Sequence, residues 1–113
     1  MPEPLEVVSG AHGVIVRVVG RLDAKSVPAL LARCAEVRAS GGHLIVNLSR
    51  VEFIASSGVG TLLSVAEEFR KAGRTVRFAS PSAPVLSVIQ LLNLEPFLPI
   101  DASEQDAERA IQA

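Results

Sequence analysis

The sequence predicts an α/β fold: a mixed, largely parallel four- to five-stranded sheet that starts with a β-hairpin and is packed by about four helices. Short β-branched or apolar runs alternate along the chain with longer segments whose apolar residues repeat at helical spacing. Strands that alternate with helices need crossover connections, which place consecutive strands parallel. The length of 113 residues predicts a single domain over residues 1–113.

The first two strands are predicted to form the hairpin. Leu5–Ser9 and Val14–Val19 are β-branched runs, and the turn-forming segment GAHG separates them at residues 10–13. We expect Gly20 to end the second strand, since glycine weakens a strand interior.

The period changes from strand to helix at Val27. Asp23 or Ser26 can cap this first helix, and Gly41-Gly42 ends it. Its apolar face follows the i, i+3, i+4, i+7 and i+10 spacing: Val27, Leu30, Leu31, Cys34 and Val37. The only cysteine lies on this face, so we expect an inert core thiol, and no internal disulfide can form.

The motif FIASSGVG, residues 53–60, stands between a strand and a second helix. The run HLIVNL at 43–48 is nearly continuously apolar, which is typical of a strand that is covered on both faces or central in a sheet. Gly73 ends the helix that follows the motif. This helix is predicted from a second apolar stripe: Val59, Leu62, Leu63, Ala66 and Phe69.

The remaining chain predicts two more strands and two more helices. TVRFAS at 75–80 alternates as a strand does, and FLPI at 97–100 is typical of a short edge strand that tolerates proline. Ser103–Asp106 resembles a capping box that opens a last helix to Ile111. Ser82 can cap the third helix, whose predicted inward residues are Val85, Leu86, Ile89 and Leu92.

Composition disfavours nucleic-acid and membrane functions. The net charge is −1, and the sequence has four Phe but no Trp or Tyr, so neither a basic face nor a set of stacking aromatics is expected. The N-terminus lacks the pattern of a signal peptide, and no apolar run approaches the roughly 20 residues that span a bilayer. We therefore expect a cytoplasmic protein without membrane insertion.

Catalytic and cofactor signatures are absent from the sequence. A serine-hydrolase elbow needs a glycine where Ile54 stands, and His12 and His43 are the only histidines that could act as a base. The glycine-rich turn lacks the lysine and the spacing of a nucleotide-binding loop. Asp23, Glu52 and the histidines lack metal-ligand spacing. We expect no enzyme activity, cofactor or metal.

The two serines of the motif allow two interpretations. Ser56 or Ser57 could only cap the second helix, which contributes roughly 1 kcal/mol, or one of them could be a functional hydroxyl. Gly58 and Gly60 are harder to explain as cap residues, since glycine inside a helix costs about 0.5–1 kcal/mol relative to alanine. Two glycines in the first turn indicate that something approaches the backbone closely.

Two segments resemble the STAS domain family, the anti-sigma factor antagonists of bacteria. VNLSRVEFIASSGVGTLLS at 46–64 is similar to the family's signature, an apolar strand followed by Asp-Ser-Ser/Thr-Gly-Leu/Ile/Val-Gly and an amphipathic helix. VVGRLDAKSVPAL at 18–30 is similar to the family's second motif, a strand followed by Gly-x-Leu-Asp before the first helix. The order of elements also resembles the family over nearly the whole chain.

The resemblance implies a phosphorylation switch. The first serine of the pair, Ser56, would accept phosphate from an anti-sigma factor that is also a serine kinase, and Ser57 would be the alternate acceptor or a helix cap. The unphosphorylated form would bind that partner, and a phosphatase is a further candidate partner. The implied binding surface comprises these residues: Asp23, Ser56, Ser57, Gly58, Val59, Gly60 and Thr61.

One position departs from the family pattern, because Ala55 stands where the family has aspartate. Two other functions also stay open, since a fold alone does not fix function. The domain could be a non-phosphorylated STAS subunit of a stressosome-like or lipid-transport assembly, or a small nucleotide-binding domain that uses the glycine-rich turn. The sequence leaves the partner, the signal and the oligomeric state open.

Overall fold

The computed structural model describes residues 5–112. Over this range strands and helices alternate as the sequence predicts. The strands are β1 (Leu5–Ser9), β2 (Val14–Leu22), β3 (Leu44–Ile54), β4 (Val76–Ala79) and β5 (Ile100–Asp101). The helices are α1 (Val27–Ala39), α2 (Ser56–Lys71), α3 (Ala83–Leu91) and α4 (Glu104–Gln112), and a short 3₁₀ turn at Glu95–Phe97 precedes β5.

The five strands form one mixed sheet in the order β1-β2-β3-β4-β5. β1 pairs with β2 antiparallel, and the three following pairs are parallel. The predicted fold class is therefore confirmed. Because β2 and β3 are parallel neighbours, the segments that follow them emerge at the same end of the sheet, called here the carboxyl end.

Helices cover both faces of the sheet unequally. Buried residues of α1, α2 and α3 join one large hydrophobic core with β2, β3 and β4, and α4 packs on the opposite face in a smaller cluster around Ile45 and Ala107. β3 contributes to both clusters, since Leu44 and Val46 face the large core while Ile45 faces α4. This explains its nearly continuous apolar sequence and confirms the prediction of a doubly covered strand.

The second strand is longer than predicted. Gly20 does not end it, because the strand continues through a left-handed glycine (φ +87°) to the fully buried Leu22. Two register shifts against β3 accompany this region, between Arg17 and Val19 and between Gly20 and Arg21. Glycine adopts a positive φ without steric penalty, so pairing with the long β3 continues past it.

Two predicted core residues are exposed. Leu31 on α1 is 39% exposed, and Leu92 follows the end of α3 and is 53% exposed. The chain turns away there, and Asn93 adopts a left-handed conformation (φ +54°). The buried face of α2 is also shifted from the predicted stripe, although Leu62 and Phe69 are shared, and comprises Gly58, Thr61, Leu62, Val65 and Phe69.

The predicted helix caps have mixed outcomes. The Ser103 hydroxyl accepts the Asp106 N–H at 3.1 Å, which confirms the start of the last helix. Ser26 and Ser82 precede α1 and α3, but neither side chain caps its helix.

Cys34 is buried as predicted, and burial raises the pKa of its thiol to about 12, so the unreactive protonated form prevails. Within residues 5–112, no helix is long and apolar enough to span a bilayer.

A charged network fastens α4 to the sheet. The Arg17 guanidinium on β2 donates to both oxygens of Glu104, at 2.9 Å from Nε and 3.0 Å from Nη2. The buried Asn47 amide also donates to Glu104, and Glu6 pairs with Arg17. The hydrogen bonds from Arg17 are the main reason why the pKa of Glu104 lies below its ordinary value. Desolvation acts in the opposite direction, and the hydrogen bond from Asn47 lowers the pKa further.

We predict that Glu104→Gln lowers the free energy of unfolding by about 1–2 kcal/mol at pH 7. The folded-state pKa of Glu104 lies below the unfolded value of about 4.3. The contribution of its charge to the free energy of unfolding is therefore complete above about pH 4.3. It is lost as the pH falls through the folded-state pKa. Urea unfolding of parent and variant between pH 7 and pH 2 should show the two converge in acid.

The matched control is Glu36→Gln, which removes the exposed Arg33–Glu36 pair on α1. That substitution should change stability by less than about 0.5 kcal/mol. A difference between parent and Glu104→Gln that stays constant down to pH 2 would contradict the assigned role of the carboxylate.

Candidate functional site

The carboxyl end of the sheet brings the two sequence motifs together. Leu22 at the end of β2 lies opposite Ile54 at the end of β3. One residue further, the Ala55 N–H donates to the Leu22 carbonyl at 3.0 Å. The loop that begins at Asp23 and the helix that begins at Ser56 therefore leave neighbouring strand ends side by side.

Helix α2 starts without a side-chain cap. Ala55 occupies the N-cap position with extended backbone (φ −91°, ψ 169°), and its carbonyl accepts the Val59 N–H at 3.1 Å. Ser56 and Ser57 are the first two helical residues, and both are exposed. The prediction that Ser57 caps the helix is wrong, because Ala55 occupies the N-cap position and Ser57 lies inside the first turn without a cap hydrogen bond.

Neither serine hydroxyl has a hydrogen-bond partner within residues 5–112. The Ser57 carbonyl, by contrast, accepts the Thr61 hydroxyl at 2.8 Å, one turn along the helix. The Ser56 hydroxyl is thus exposed at a helix N-terminus, where free amides and the helix dipole stabilise an added negative charge.

The two glycines of the motif have different structural reasons. A Cβ at Gly58 would lie 2.5 Å from the Leu22 carbonyl oxygen and 2.9 Å from Leu22 Cγ, so only glycine permits this contact between α2 and β2. A Cβ at Gly60 would meet nothing within 4 Å. The close approach that the sequence indicated is therefore made at Gly58 by the chain itself, and Gly60 is exposed to solvent.

The implied binding surface divides by exposure. Ser56, Ser57 and Gly60 are exposed, and Val59 is partly buried. Gly58 and Thr61 are buried against the core side of α2. A partner at this end of the sheet would therefore meet the two serines and Gly60, while the buried members position the helix.

Asp23 organises the loop before α1 instead of capping that helix. Its carboxylate accepts the N–H groups of Lys25 and Ser26 at 3.1 and 3.3 Å, and Arg21 Nε lies 3.2 Å from its second oxygen. Desolvation raises the pKa of Asp23, but these hydrogen bonds and the charge of Arg21 together outweigh it and hold the pKa below its ordinary value. Asp23 therefore presents a negative charge at neutral pH.

An exposed arginine–phenylalanine pair borders this loop and was not predicted from the sequence. The Arg21 guanidinium stacks 4.1 Å from the centroid of the Phe53 ring, which is 41% exposed. Arg21 lies directly opposite Phe53 in the β2–β3 ladder. Arg21 and Phe53 are 32 positions apart in the sequence, so the pair could be found only from the register of the two strands.

Both candidate bases lie far from the serines. His12 is in the β1–β2 turn, and His43 precedes β3, where its Nδ1 accepts the Thr75 N–H. Both positions are at the amino end of β2 and β3, and the nine residues of β2 span about 26 Å. Among the described residues, no three or more His, Cys, Asp or Glu side chains gather to hold a metal ion.

Comparison with known proteins points to one family. Residues 4–107 match the model of the STAS domain family. A curated relative named anti-sigma F factor antagonist, from Lysinibacillus sphaericus, is 34% identical over 97 residues, which cover 83% of this chain and 81% of the relative.

Solved structures agree with that match. The anti-sigma factor antagonist SpoIIAA in its unphosphorylated form superposes with a TM-score of 0.76 at 25% identity, covering 96% of this chain and 97% of that one. The phosphorylated form of SpoIIAA from Bacillus superposes with a TM-score of 0.72 at 25% identity, covering 94% and 98%.

We predict that Gly58→Ala destabilises the fold by at least about 2 kcal/mol, because the added methyl group collides with a backbone carbonyl that cannot move without disturbing β2. Gly60→Ala is the matched control and should stabilise the fold by about 0.5–1 kcal/mol through helix propensity. Thermal and urea unfolding measure both effects. Equal effects of the two substitutions would contradict the contact described at Gly58.

We predict that Ala55→Asp stabilises the fold by about 1 kcal/mol, because a carboxylate at the N-cap accepts a free amide and complements the helix dipole. The gain should disappear when the pH falls below the pKa of the new carboxyl. Ala72→Asp, at the opposite end of α2, is the control and should destabilise the fold. A neutral or destabilising Ala55→Asp would mean that the first-turn amides are not available.

Proposed function

This chain belongs to the STAS domain family, and we propose that it is an anti-sigma factor antagonist whose binding is switched by phosphorylation of Ser56. The name of its curated relative and the SpoIIAA structures support the antagonist function. SpoIIAA has been solved in unphosphorylated and phosphorylated forms on this same fold, which supports a switch of that kind.

The observation that carries the proposal is the exposed Ser56 hydroxyl at the start of α2, beside the Asp23 loop; this hydroxyl has no hydrogen-bond partner among residues 5–112. No hydrogen bond within the described part of the chain has to break for this hydroxyl to react. The exposed surface around it offers a partner the α2 first turn, the Asp23 carboxylate and the Arg21–Phe53 pair.

In the proposed reaction, Ser56 Oγ forms a bond to the γ-phosphorus of ATP while the bond between that phosphorus and the β–γ bridging oxygen breaks. ADP leaves, and the hydroxyl proton passes to a base. We assign the ATP, the magnesium ion and the base to the partner anti-sigma factor kinase, and the domain contributes only the nucleophile. A phosphatase would reverse the modification.

The added phosphate would affect the fold and the interface differently. It brings about −1.5 to −2 charges at neutral pH, which the free amides and dipole of α2 stabilise within the domain. At an interface, the same charge must lose its hydration, and it stands at the same end of the sheet as the Asp23 carboxylate. Ala55 adds no further negative charge, so the domain would tolerate the phosphate, whereas docking of the partner would be opposed by the cost of desolvating it.

A second candidate function is supported by Ala55 itself. If the aspartate that the family has at this position is needed by the kinase, the domain would serve as a non-phosphorylated interaction subunit and bind through the same exposed surface. The two candidates differ in whether kinase and ATP change the mass of the protein.

We predict that the anti-sigma factor kinase of the source organism, with ATP, adds one phosphate to the parent protein and none to Ser56→Ala, as read by intact-mass and peptide mass spectrometry. Ser56→Asp should weaken binding to that kinase at least tenfold in calorimetry, because the carboxylate introduces charge into the interface. Ser56→Ala should bind like the parent.

Ser64→Asp is the matched control, since Ser64 is also exposed on α2 but lies eight residues further along the helix. It should bind like the parent, and all variants should keep the parent circular dichroism spectrum. Modification of Ser57 alone would reassign the acceptor. Binding without any phosphate transfer would favour the interaction subunit, and parent-like binding by Ser56→Asp would refute the switch.

A further inference from the structure

A groove of about 600 Å³ lies on the large-core side of the domain, away from the serines. Its walls come from the second half of α2, the beginning of β4 and the segment that includes the 3₁₀ turn before β5. Small-molecule sites in proteins are concave, mostly apolar and about 300–1,000 Å³ in volume. The lining includes these apolar residues: Leu63, Ala66, Val76, Pro96, Phe97 and Pro99.

Phe97 leaves most of its ring in water at this groove. The side chain is 65% exposed, although the next residue, Leu98, is only 4% exposed and belongs to the core. The Phe97 N–H donates to the Leu94 carbonyl at 2.9 Å, which fixes the turn. An exposed aromatic ring beside a cavity offers apolar area to a ligand, and an aromatic side chain has few rotatable bonds to order on binding.

The charges of the groove are predominantly positive. Arg70, Arg74 and Arg77 line it, and among residues 5–112 Glu67 is the only acidic lining residue. Glu67 is already neutralised by Arg70, whose Nε lies 3.0 Å from its carboxylate. Arg77 is held by both oxygens of Asp101, at 2.7 and 2.9 Å.

Arg74 supplies the charge that remains. Its guanidinium lies beside Gly41 and forms no ion pair with any carboxylate of residues 5–112. Arginine at the rim of an apolar groove suits an anion, because its planar fork binds carboxylate and phosphate oxygens in pairs.

We propose that this groove binds a small amphipathic organic anion, with an aromatic or aliphatic body against Phe97 and Leu63 and a carboxylate, phosphate or sulfonate at Arg74. The site is separate from the phosphorylation switch. The lining residues of α2 begin at Leu63, seven residues beyond Ser56 and about 10 Å along the helix axis. The binding proposal therefore stands whether or not Ser56 is phosphorylated.

The test uses the intact protein and 8-anilinonaphthalene-1-sulfonate, an aromatic sulfonate whose fluorescence rises in apolar surroundings. We expect saturable one-to-one binding that weakens as salt is added, with amide NMR shifts confined to the groove. Arg74→Gln should weaken binding about tenfold, which is typical for loss of one charge-assisted contact. Phe97→Ala should weaken it to a similar extent through lost apolar contact.

Two controls separate this site from non-specific dye binding. Arg33→Gln removes another exposed arginine, on α1 and outside the groove, and should leave the affinity unchanged. The uncharged relative N-phenyl-1-naphthylamine should be sensitive to Phe97→Ala and insensitive to Arg74→Gln. The proposal is overturned by non-saturating fluorescence, by shifts centred on other exposed apolar residues such as Leu91, or by parent-like affinity of Arg74→Gln and Phe97→Ala.

Discussion

The parallel pairing of β2 with β3 is the constraint on which the candidate site depends. It continues to Leu22 and Ile54, and the Ala55 N–H then extends it by one more bond to the Leu22 carbonyl. The same carbonyl leaves no room for a Cβ at Gly58, so one backbone group fixes both the end of the ladder and the position of α2. The Asp23 loop and the first turn of α2 are neighbours for this reason, although Asp23 and Ala55 are 32 positions apart in the sequence.

The missing side-chain cap of α2 bears on the proposed regulation of the domain and does not affect its family assignment. Ala55 has the extended backbone of an N-cap but no side-chain acceptor, so the first-turn amides remain free for another anion. A phosphate on Ser56 would have these amides to itself, whereas an aspartate at position 55, as in the family pattern, would compete with it for them. The substitution therefore leaves the fold intact and changes the electrostatics at the residue where the proposed switch acts.

Helix α2 connects the two surfaces to which we assign functions. Its first turn forms the exposed site at the carboxyl end of the sheet, and its second half forms one wall of the arginine-lined groove. One face of α2 is buried in the large core through Leu62, Val65 and Phe69, and the opposite face is exposed. One rigid element thus carries a candidate modification site and a candidate ligand site.

The sequence by itself determined the order of elements, the mixed sheet with its starting hairpin, and the family, because hydrophobic period and the two motifs are local properties. Long-range pairing decided the rest. Pairing with β3 extends β2 past Gly20, and Leu31 and Leu92 are exposed because no element of the described chain covers them. Only the tertiary structure showed that Ala55 occupies the N-cap position, that the contact with Leu22 requires glycine at position 58, and that Arg21 stacks on Phe53. Each of these depends on which atoms of distant segments meet, and a linear pattern of residues does not contain that information.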